Sequence, residues 1–383
     1  MSVQYPAVDP EGLLEYSVVF TDRALNHMSK VFQQVMRDIS STLKQVYNAD
    51  AIAIVPGGGS FGMEAVARQL ATGQKCLVLR NGWFSYRWTQ ILDIGHIPSE
   101  SIVLKAHPVE SGRQVAYAPA PVDEVVATIL REKPAVVFAP HVETASGIIL
   151  PDDYLRAVGQ AVHDVGGLFV LDCVASGAIW VDMKACGVDV LISAPQKGWS
   201  ASPCAALILM SQAARNRVEA TTSSSFAADL KKWLHIMHAY ESGGHMYHAT
   251  MPTTALAAFR NAMQETVSTG LELLRTQQWE LGTQVRALMA RKGFRSVAAP
   301  GFEAPGVVVC YTDDDQIHNG RKFIEQGLQT ASGVPLMCDE AADFKTFRVG
   351  LFGLDKLNDT ARAVDNLDRA LTRILAGQPT PVA

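Results

Sequence analysis

The sequence lacks the marks of most specialised classes of protein. Its six cysteines, at 76, 173, 186, 204, 310 and 338, never pair as CxxC. Several lie in apolar stretches, which argues against a disulfide scaffold and for buried thiols in a reducing cytoplasm. The ten histidines show no HExxH or other metal spacing, so no metal is expected. His245 and His248 sit beside Tyr247 and two glycines, a loop composition. No block of lysine or arginine stands out, and the net charge of −5 with a pI of about 6.1 argues against a nucleic-acid partner. No apolar run approaches the roughly 20 residues that cross a bilayer, so no membrane partner is expected. The stretch from Met1 to Pro6 has no basic segment followed by an apolar one, so no signal peptide is expected either. Repeats and long low-complexity segments are missing as well.

What remains is a large core-forming chain. Of its 383 residues, 48% are hydrophobic and 19% charged, too apolar for disorder and long enough for two domains. Residues 1–20 read as an arm. From Leu25 to Tyr47 an apolar stripe of helical period holds Met28, Val31, Phe32, Val35, Met36, Ile39, Leu43 and Val46. Strands then alternate with helices. Strands are expected at Ala51–Val55, Lys75–Arg80, Ala135–Ala139, Leu168–Asp172, Val188–Ser193 and Ala205–Met210. Helices are expected at Met63–Leu70, Tyr86–Ile94 and Asp152–Val165. Such alternation predicts an α/β fold with a mostly parallel sheet covered by helices on both faces. A long helical pattern from Thr254 to about Lys292 carries a break near Gly270. Strands at Gly306–Tyr311 and Thr346–Leu351 and a helix at Asp359–Leu375 complete a smaller α+β domain. The division is an arm (1–20), a large domain (21–265) and a small C-terminal domain (266–383).

Ligands of such sheets bind at the carboxyl ends of the strands. Lys197 lies there, in Ser193-Ala194-Pro195-Gln196-Lys197-Gly198, directly after a core strand. Lysines usually occupy solvated faces. A desolvated one has a lowered pKa and a nucleophilic amine. Asp172 ends a neighbouring strand and offers a fixed negative charge. A lysine for a Schiff base and an acid for a pyridinium nitrogen are what pyridoxal phosphate chemistry requires. Taken singly, Lys197 also reads as a strand-end lysine reaching solvent, and Asp172 as a helix cap.

Four other segments follow strands. Gly57-Gly58-Gly59-Ser60-Phe61-Gly62 reads as a turn that cradles a phosphate at a helix start near Met63. Gly57, Gly59 and Gly62 also fit the dinucleotide pattern GxGxxG. The next strand ends in Arg80 rather than the acid that holds a ribose, so a nicotinamide cofactor survives only through Arg80 and a 2′-phosphate. A purely structural turn is the third alternative. No GK[ST] follows, which rejects a nucleotide P-loop. In Asn81-Gly82-Trp83-Phe84-Ser85-Tyr86-Arg87-Trp88, Phe84 is the candidate to stack on a planar cofactor ring, while Trp88 reads as core. His141 to Gly147 offers short hydroxyls to a ring oxygen, or plain turn chemistry. Arg348, inside an apolar strand, needs an anion: a substrate carboxylate, or an internal partner such as Glu340 or Asp343.

With these residues assembled, the chain resembles the class V, fold-type I pyridoxal-phosphate aminotransferases, in particular the alanine–glyoxylate and serine–glyoxylate group. The likeness runs from about Asn26 to Leu371. It is carried by Leu171-Asp172-Cys173-Val174-Ala175-Ser176-Gly177, by Ser193 to Gly198, by Glu143 to Gly147, by Tyr247 to Thr250 and by Phe347 to Gly350. The resemblance implies a cofactor, pyridoxal 5′-phosphate, carried on Lys197 with its ring nitrogen on Asp172. It implies Phe84 against the ring, Thr144 at the ring oxygen, and Gly58, Gly59, Ser60 and Gln196 around the phosphate. It implies that Tyr247 and Thr250 reach a partner's phosphate across a homodimer with shared active sites, and that Arg348 grips the substrate carboxylate. The implied reaction moves an amino group from a small amino acid, alanine or serine, to a 2-oxo acid such as glyoxylate or pyruvate by a ping-pong route.

Two departures bear on specificity. Many relatives open with a glycine–proline segment lining the pocket. Here that region is Tyr16 to Ser29, so Arg23 and Asn26 present different groups to the substrate. Ser60 stands where some relatives have histidine. Rival chemistries on the same fold are lyases and cysteine desulfurases. The latter would need Cys338 as a mobile nucleophile, though its flanking Asp339 disfavours thiolate.

Overall fold

The computed structural model describes residues 8, 9 and 12–377. The remaining part of the expected arm, residues 1–7, 10 and 11, lies outside the described residues.

Seven strands form the main sheet: β1 (Ala51–Pro56), β2 (Lys75–Arg80), β3 (Glu100–Lys105), β4 (Val136–Pro140), β5 (Leu168–Asp172), β6 (Val190–Ser193) and β7 (Ala205–Met210). Their spatial order is β1-β7-β6-β5-β4-β2-β3. The run from β6 to β3 is parallel, and β7 alone reverses, antiparallel to both β1 and β6. The central strands are buried on both faces, which is why they read as unbroken apolar runs rather than alternating ones. Among the described residues the edge strand β3 pairs only with β2; it is half-buried, and the sequence pattern missed it.

The first helix runs over Lys30–Tyr47, later than its apolar stripe begins, because Ser29 caps it by accepting from Phe32 N at 3.0 Å. Its buried face holds Phe32, Val35, Met36, Ile39 and Leu43, while Met28 and Val31 are exposed. The second helix covers Gly59–Leu70, so Gly59 to Gly62 are its first turn and not a turn ahead of it. The long helical pattern splits at Gly270, which takes φ 106, into helices Thr253–Thr269 and Leu271–Arg291.

One buried apolar cluster extends from Leu25 to Met263 around the sheet. A second collects Leu274 to Ile374 about a three-stranded antiparallel sheet made of Val307–Tyr311, Ala331–Ser332 and Thr346–Gly350. A third lies between them and includes Val142, Ala145, Val307 and Tyr311, with Phe84 and Phe352 at its edge. The crevice above the ends of β4, β5 and β6 thus borders the smaller sheet.

Candidate active site at the strand ends

Asp172 ends β5 with β4 and β6 beside it, in register with Pro140 and Ile192. Its Oδ1 accepts from Val174 N at 2.9 Å. Burial pushes its carboxyl up to about 6; the Val174 bond opposes this, the charge of Glu143 adds to it, and Arg87 and Lys197 oppose it. Five residues beyond Ile192 comes Lys197. Its loop is closed by Ala201 N to Pro195 O and Ser200 N to Lys197 O, both 3.0 Å. Gly198 allows the loop to press on the segment after Asp172, since a Cβ there would lie 2.1 Å from Gly177 O. Burial lowers the Lys197 amine below its ordinary value, the Arg348 charge lowers it further, and Asp172 pulls it back. Its Nζ stands 5.0 Å from the centre of the Phe352 ring.

The aromatic wall is set by a carboxylate that the sequence reading passed over. Glu143 is fully buried. It accepts from Phe84 N at 3.2 Å, Ser85 N at 2.8 Å, Ser85 Oγ at 2.7 Å and Ala145 N at 2.9 Å. A negative group on the first turn of the Trp83–Ile94 helix is well placed against its dipole. Burial raises the Glu143 carboxyl, and these donors oppose that rise. One side chain thereby fixes Phe84 and its own neighbour Thr144, which is buried. Trp88 is core, stacked on Phe138 at 4.3 Å.

Arg348 faces the same place from the smaller sheet, with its guanidinium carbon 5.4 Å from the centre of the Phe84 ring. The internal salt bridge open to it in the sequence is not made. Glu340 instead accepts from the backbone of Leu336, Met337 and Cys338, and Asp343 pairs with Arg113 at 3.0 Å. Arg348 Nε donates to Ser332 O at 2.7 Å; its two terminal nitrogens make no hydrogen bond among the described residues. Burial lowers its pKa, and Glu143 opposes that. The result is a half-buried cation with a free fork, suited to a carboxylate.

On the far side, Gly58 precedes the Gly59–Leu70 helix and offers no side-chain cap, which leaves first-turn N–H groups for an anion. Gly59 fits against Val174, where a Cβ would come within 2.6 Å, and so ties this turn to the segment after Asp172. Ser60 Oγ accepts from Arg87 Nη1 at 2.7 Å. Gln196 Oε1 is buried without a hydrogen-bond partner. An uncapped helix start, a close backbone approach and an orphaned polar atom are features that a phosphate-bearing cofactor would satisfy. Arg87 was not singled out in the sequence. Its spacing of three from Phe84 was the available signal, since residues at i and i+3 share a helix face.

Four expected residues are not joined to this cluster within one chain. Tyr247 Oη and Thr250 Oγ1 bond each other at 3.1 Å on the surface, with the Tyr247 ring 5.4 Å from His27. Asn26 is held by Glu15 at 2.7 Å and Ser17 at 3.3 Å, both in the arm, and Arg23, just beyond the arm, is exposed.

Two rivals lose their footing. Arg80 is buried and committed to Met337 O at 3.1 Å and Thr89 Oγ1 at 2.8 Å, so it is not poised for a nucleotide. Cys338 is buried with its thiol pushed up to about 12 by burial, the opposite of a desulfurase nucleophile. Among the described residues no three-residue metal cluster occurs, and no helix is long and apolar enough to cross a membrane.

Residues 13–334 match the family described as aminotransferase class-V. The chain is 28% identical over 365 residues to an alanine–glyoxylate aminotransferase of Callithrix jacchus, covering 93% of this chain and 83% of the relative. It is also 28% identical over 349 residues to a 2-aminoethylphosphonate–pyruvate transaminase of Burkholderia lata, covering 89% of each. An alanine–glyoxylate aminotransferase structure from Nostoc sp. superposes with a TM-score of 0.75 at 21% identity, over 92% of this chain and 89% of that one. At that identity the likeness shows the fold, which is the α/β architecture expected from the sequence.

Proposed function

The chain belongs to the class-V aminotransferase family and is a transaminase, and from that premise we propose that it binds pyridoxal 5′-phosphate and moves an amino group from a small amino acid to a 2-oxo acid. Alanine or serine as donor and glyoxylate or pyruvate as acceptor are the substrates this reading expects, in line with the alanine–glyoxylate aminotransferases among the relatives. The observation that carries this reading is a partly buried Lys197 on the loop after β6, next to the strand that Asp172 ends, with the free guanidinium fork of Arg348 turned toward Phe84.

Lys197 would hold the cofactor. Asp172 would keep its ring nitrogen protonated, Phe84 would stack on the ring and Thr144 would meet the ring oxygen. The first turn at Gly58, Gly59 and Ser60, with Gln196, would take the phosphate. The bound cofactor supplies a cationic ring that delocalises the electron pair left at the substrate Cα. The chain does the rest. Arg348 grips the carboxylate through its terminal nitrogens and so fixes which Cα bond faces the ring, an entropic gain from positioning. Once the donor's amino group has displaced it from the cofactor, Lys197 would take the Cα proton with its freed, burial-lowered amine as a general base and later return one as an acid. Donor and acceptor share the Arg348 grip in turn, so ping-pong kinetics are expected.

The reading extends to a homodimer with two shared sites. Tyr247 and Thr250 would serve the phosphate site of the partner, and Arg23 and Asn26 would lie at the substrate entrance. A large domain ending near 265 and a small one following it belong to the same reading. Lys197→Ala tests it. Turnover of alanine, serine or 2-aminoethylphosphonate with glyoxylate or pyruvate should fall by several orders of magnitude, and the stable visible absorption of the supplied cofactor should disappear. Normal turnover in that variant would reject the reading.

A further inference from the structure

Phe352 follows the strand Thr346–Gly350 that carries Arg348, and its half-buried ring stands beside Lys197. The Lys197 Nζ is 5.0 Å from the ring centre and makes no hydrogen bond or ion pair among the described residues. Of the two, the ring is the fixed partner. Leu351 N donates to Gly306 O at 2.9 Å, and Leu351 O accepts from Gln278 Nε2 at 3.2 Å. Phe352 O accepts from Lys356 Nζ at 3.0 Å. Leu354 N donates to Ser200 Oγ at 3.1 Å, and Ser200 N in turn donates to Lys197 O at 3.0 Å. The ring itself lies against Gly306 and Gly177, where added Cβ atoms would come within 3.1 Å and 3.4 Å of it. The segment after Arg348 is thus bolted to the loop that carries Lys197, and it delivers an aromatic face to the amine. The flexible stem of a lysine has no comparable restraint of its own.

Taking a proton from a substrate turns the Lys197 amine into an ammonium. Partly out of water, that charge is costly unless something compensates it. An aromatic face within about 6 Å does so through its quadrupole, and it attracts the ammonium far more than the neutral amine. An interaction that grows as the proton arrives lowers the barrier rather than tightening substrate binding. Resting on the pyridoxal-phosphate reading, we propose that Phe352 is a positioning residue of the reaction: its ring holds the Lys197 ammonium while that amine carries the Cα proton. Two charged groups also act on Lys197 from the elements around it. Arg348, from the strand Thr346–Gly350, opposes the ammonium, and Asp172, at the end of β5, favours it. Both remain when Phe352 is replaced.

The test is the pH dependence of Lys197 labelling by an amine-selective acylating reagent in the full-length chain freed of cofactor, followed by peptide mass. Phe352→Leu and Phe352→Met keep an apolar side chain and lose the ring face; two variants guard against a folding defect in one. In both, the labelling midpoint should move lower by about half to one pH unit, because the ammonium has lost a partner. Phe352→Tyr keeps the face and should hold the midpoint at the wild-type value. A merely structural ring predicts the opposite sign, since its loss would admit water to Lys197 and raise the midpoint. The holoenzyme gives a second measurement, with whichever of alanine, serine and 2-aminoethylphosphonate bleaches the wild type fastest. The saturating rate of bleaching should fall about three- to tenfold in Phe352→Leu and Phe352→Met and recover in Phe352→Tyr, at an unchanged half-saturating concentration. A midpoint that stays or rises in both apolar variants overturns the proposal, as does a raised half-saturating concentration at an unchanged rate. Failure of the underlying reading looks different: the wild-type protein would then form no visible-absorbing complex with pyridoxal phosphate at any pH.

Discussion

At the residue scale, His141 and Asp172 show burial working in opposite directions on neighbouring groups. His141 N donates to Asp172 O at 2.8 Å, and its ring Nδ1 meets Ser176 Oγ at 2.7 Å. Burial pushes the imidazole down to about 3. A depressed value means that the fold favours the neutral ring. Its contribution is therefore complete above the unfolded value of about 6.5 and is lost as pH falls toward about 3, at about 1.4 kcal/mol per pH unit. His141→Asn removes that titration. Its melting temperature should fall less steeply than that of the wild type between pH 7 and pH 5, and parallel slopes would refute the assignment. Asp172 has the opposite sign. Its raised value marks a carboxylate that burial disfavours and that a protonated ring nitrogen would relieve.

At the element scale, the site depends on segments packed closer than a side chain would permit. Gly198 meets Gly177 O and Gly62 meets Ala206, where added Cβ atoms would stand at 2.1 Å and 2.5 Å. Gly198→Ala should destabilise the protein by about 1–3 kcal/mol through overpacking, and should weaken cofactor binding because the same loop carries Lys197. Gly58 has open space for a Cβ, so Gly58→Ala is the matched control for thermal stability. A melting temperature of Gly198→Ala equal to that of the control would contradict the argument. These contacts also account for the GxGxxG spelling. Gly57, Gly59 and Gly62 answer to Phe61, Val174 and Ala206, and a dinucleotide is not needed to explain them.

For the whole molecule, the most telling feature is apolar surface in the arm. Leu13, Leu14, Tyr16 and Val18 are almost fully exposed, and Phe61 and Tyr247 are exposed as well. Apolar side chains concentrated in one segment mark an interaction site. A shared-site homodimer makes a sharp prediction. Lys197→Ala and Tyr247→Ala chains, each impaired alone, should regain activity when refolded together. A mixed dimer has one site with the intact lysine of one chain and the intact tyrosine of the other. No recovery in mixtures shown to exchange subunits would remove Tyr247 from the partner's site.

Period and strand-end chemistry were legible in the chain itself. Leu168–Asp172 and Ala205–Met210 are bounded as their apolar runs suggest, because central strands need apolar side chains on both faces. Lys197, Asp172 and Arg348 declared themselves by standing where charge is costly. Less was legible where a neighbour decides the outcome. The helix begins at Gly59 because the turn has Val174 and Ala206 to pack on, and β3 is a strand because β2 offers it an edge. Glu143 and Arg87 look like surface charges in the sequence. Folding brings the first under the start of the Trp83–Ile94 helix and the second between Ser60 and the Phe84 ring. Residue type sets which chemistry a chain can hold. Long-range packing sets which charges lose water and which charge each then faces, and those two quantities fix how a site ionises.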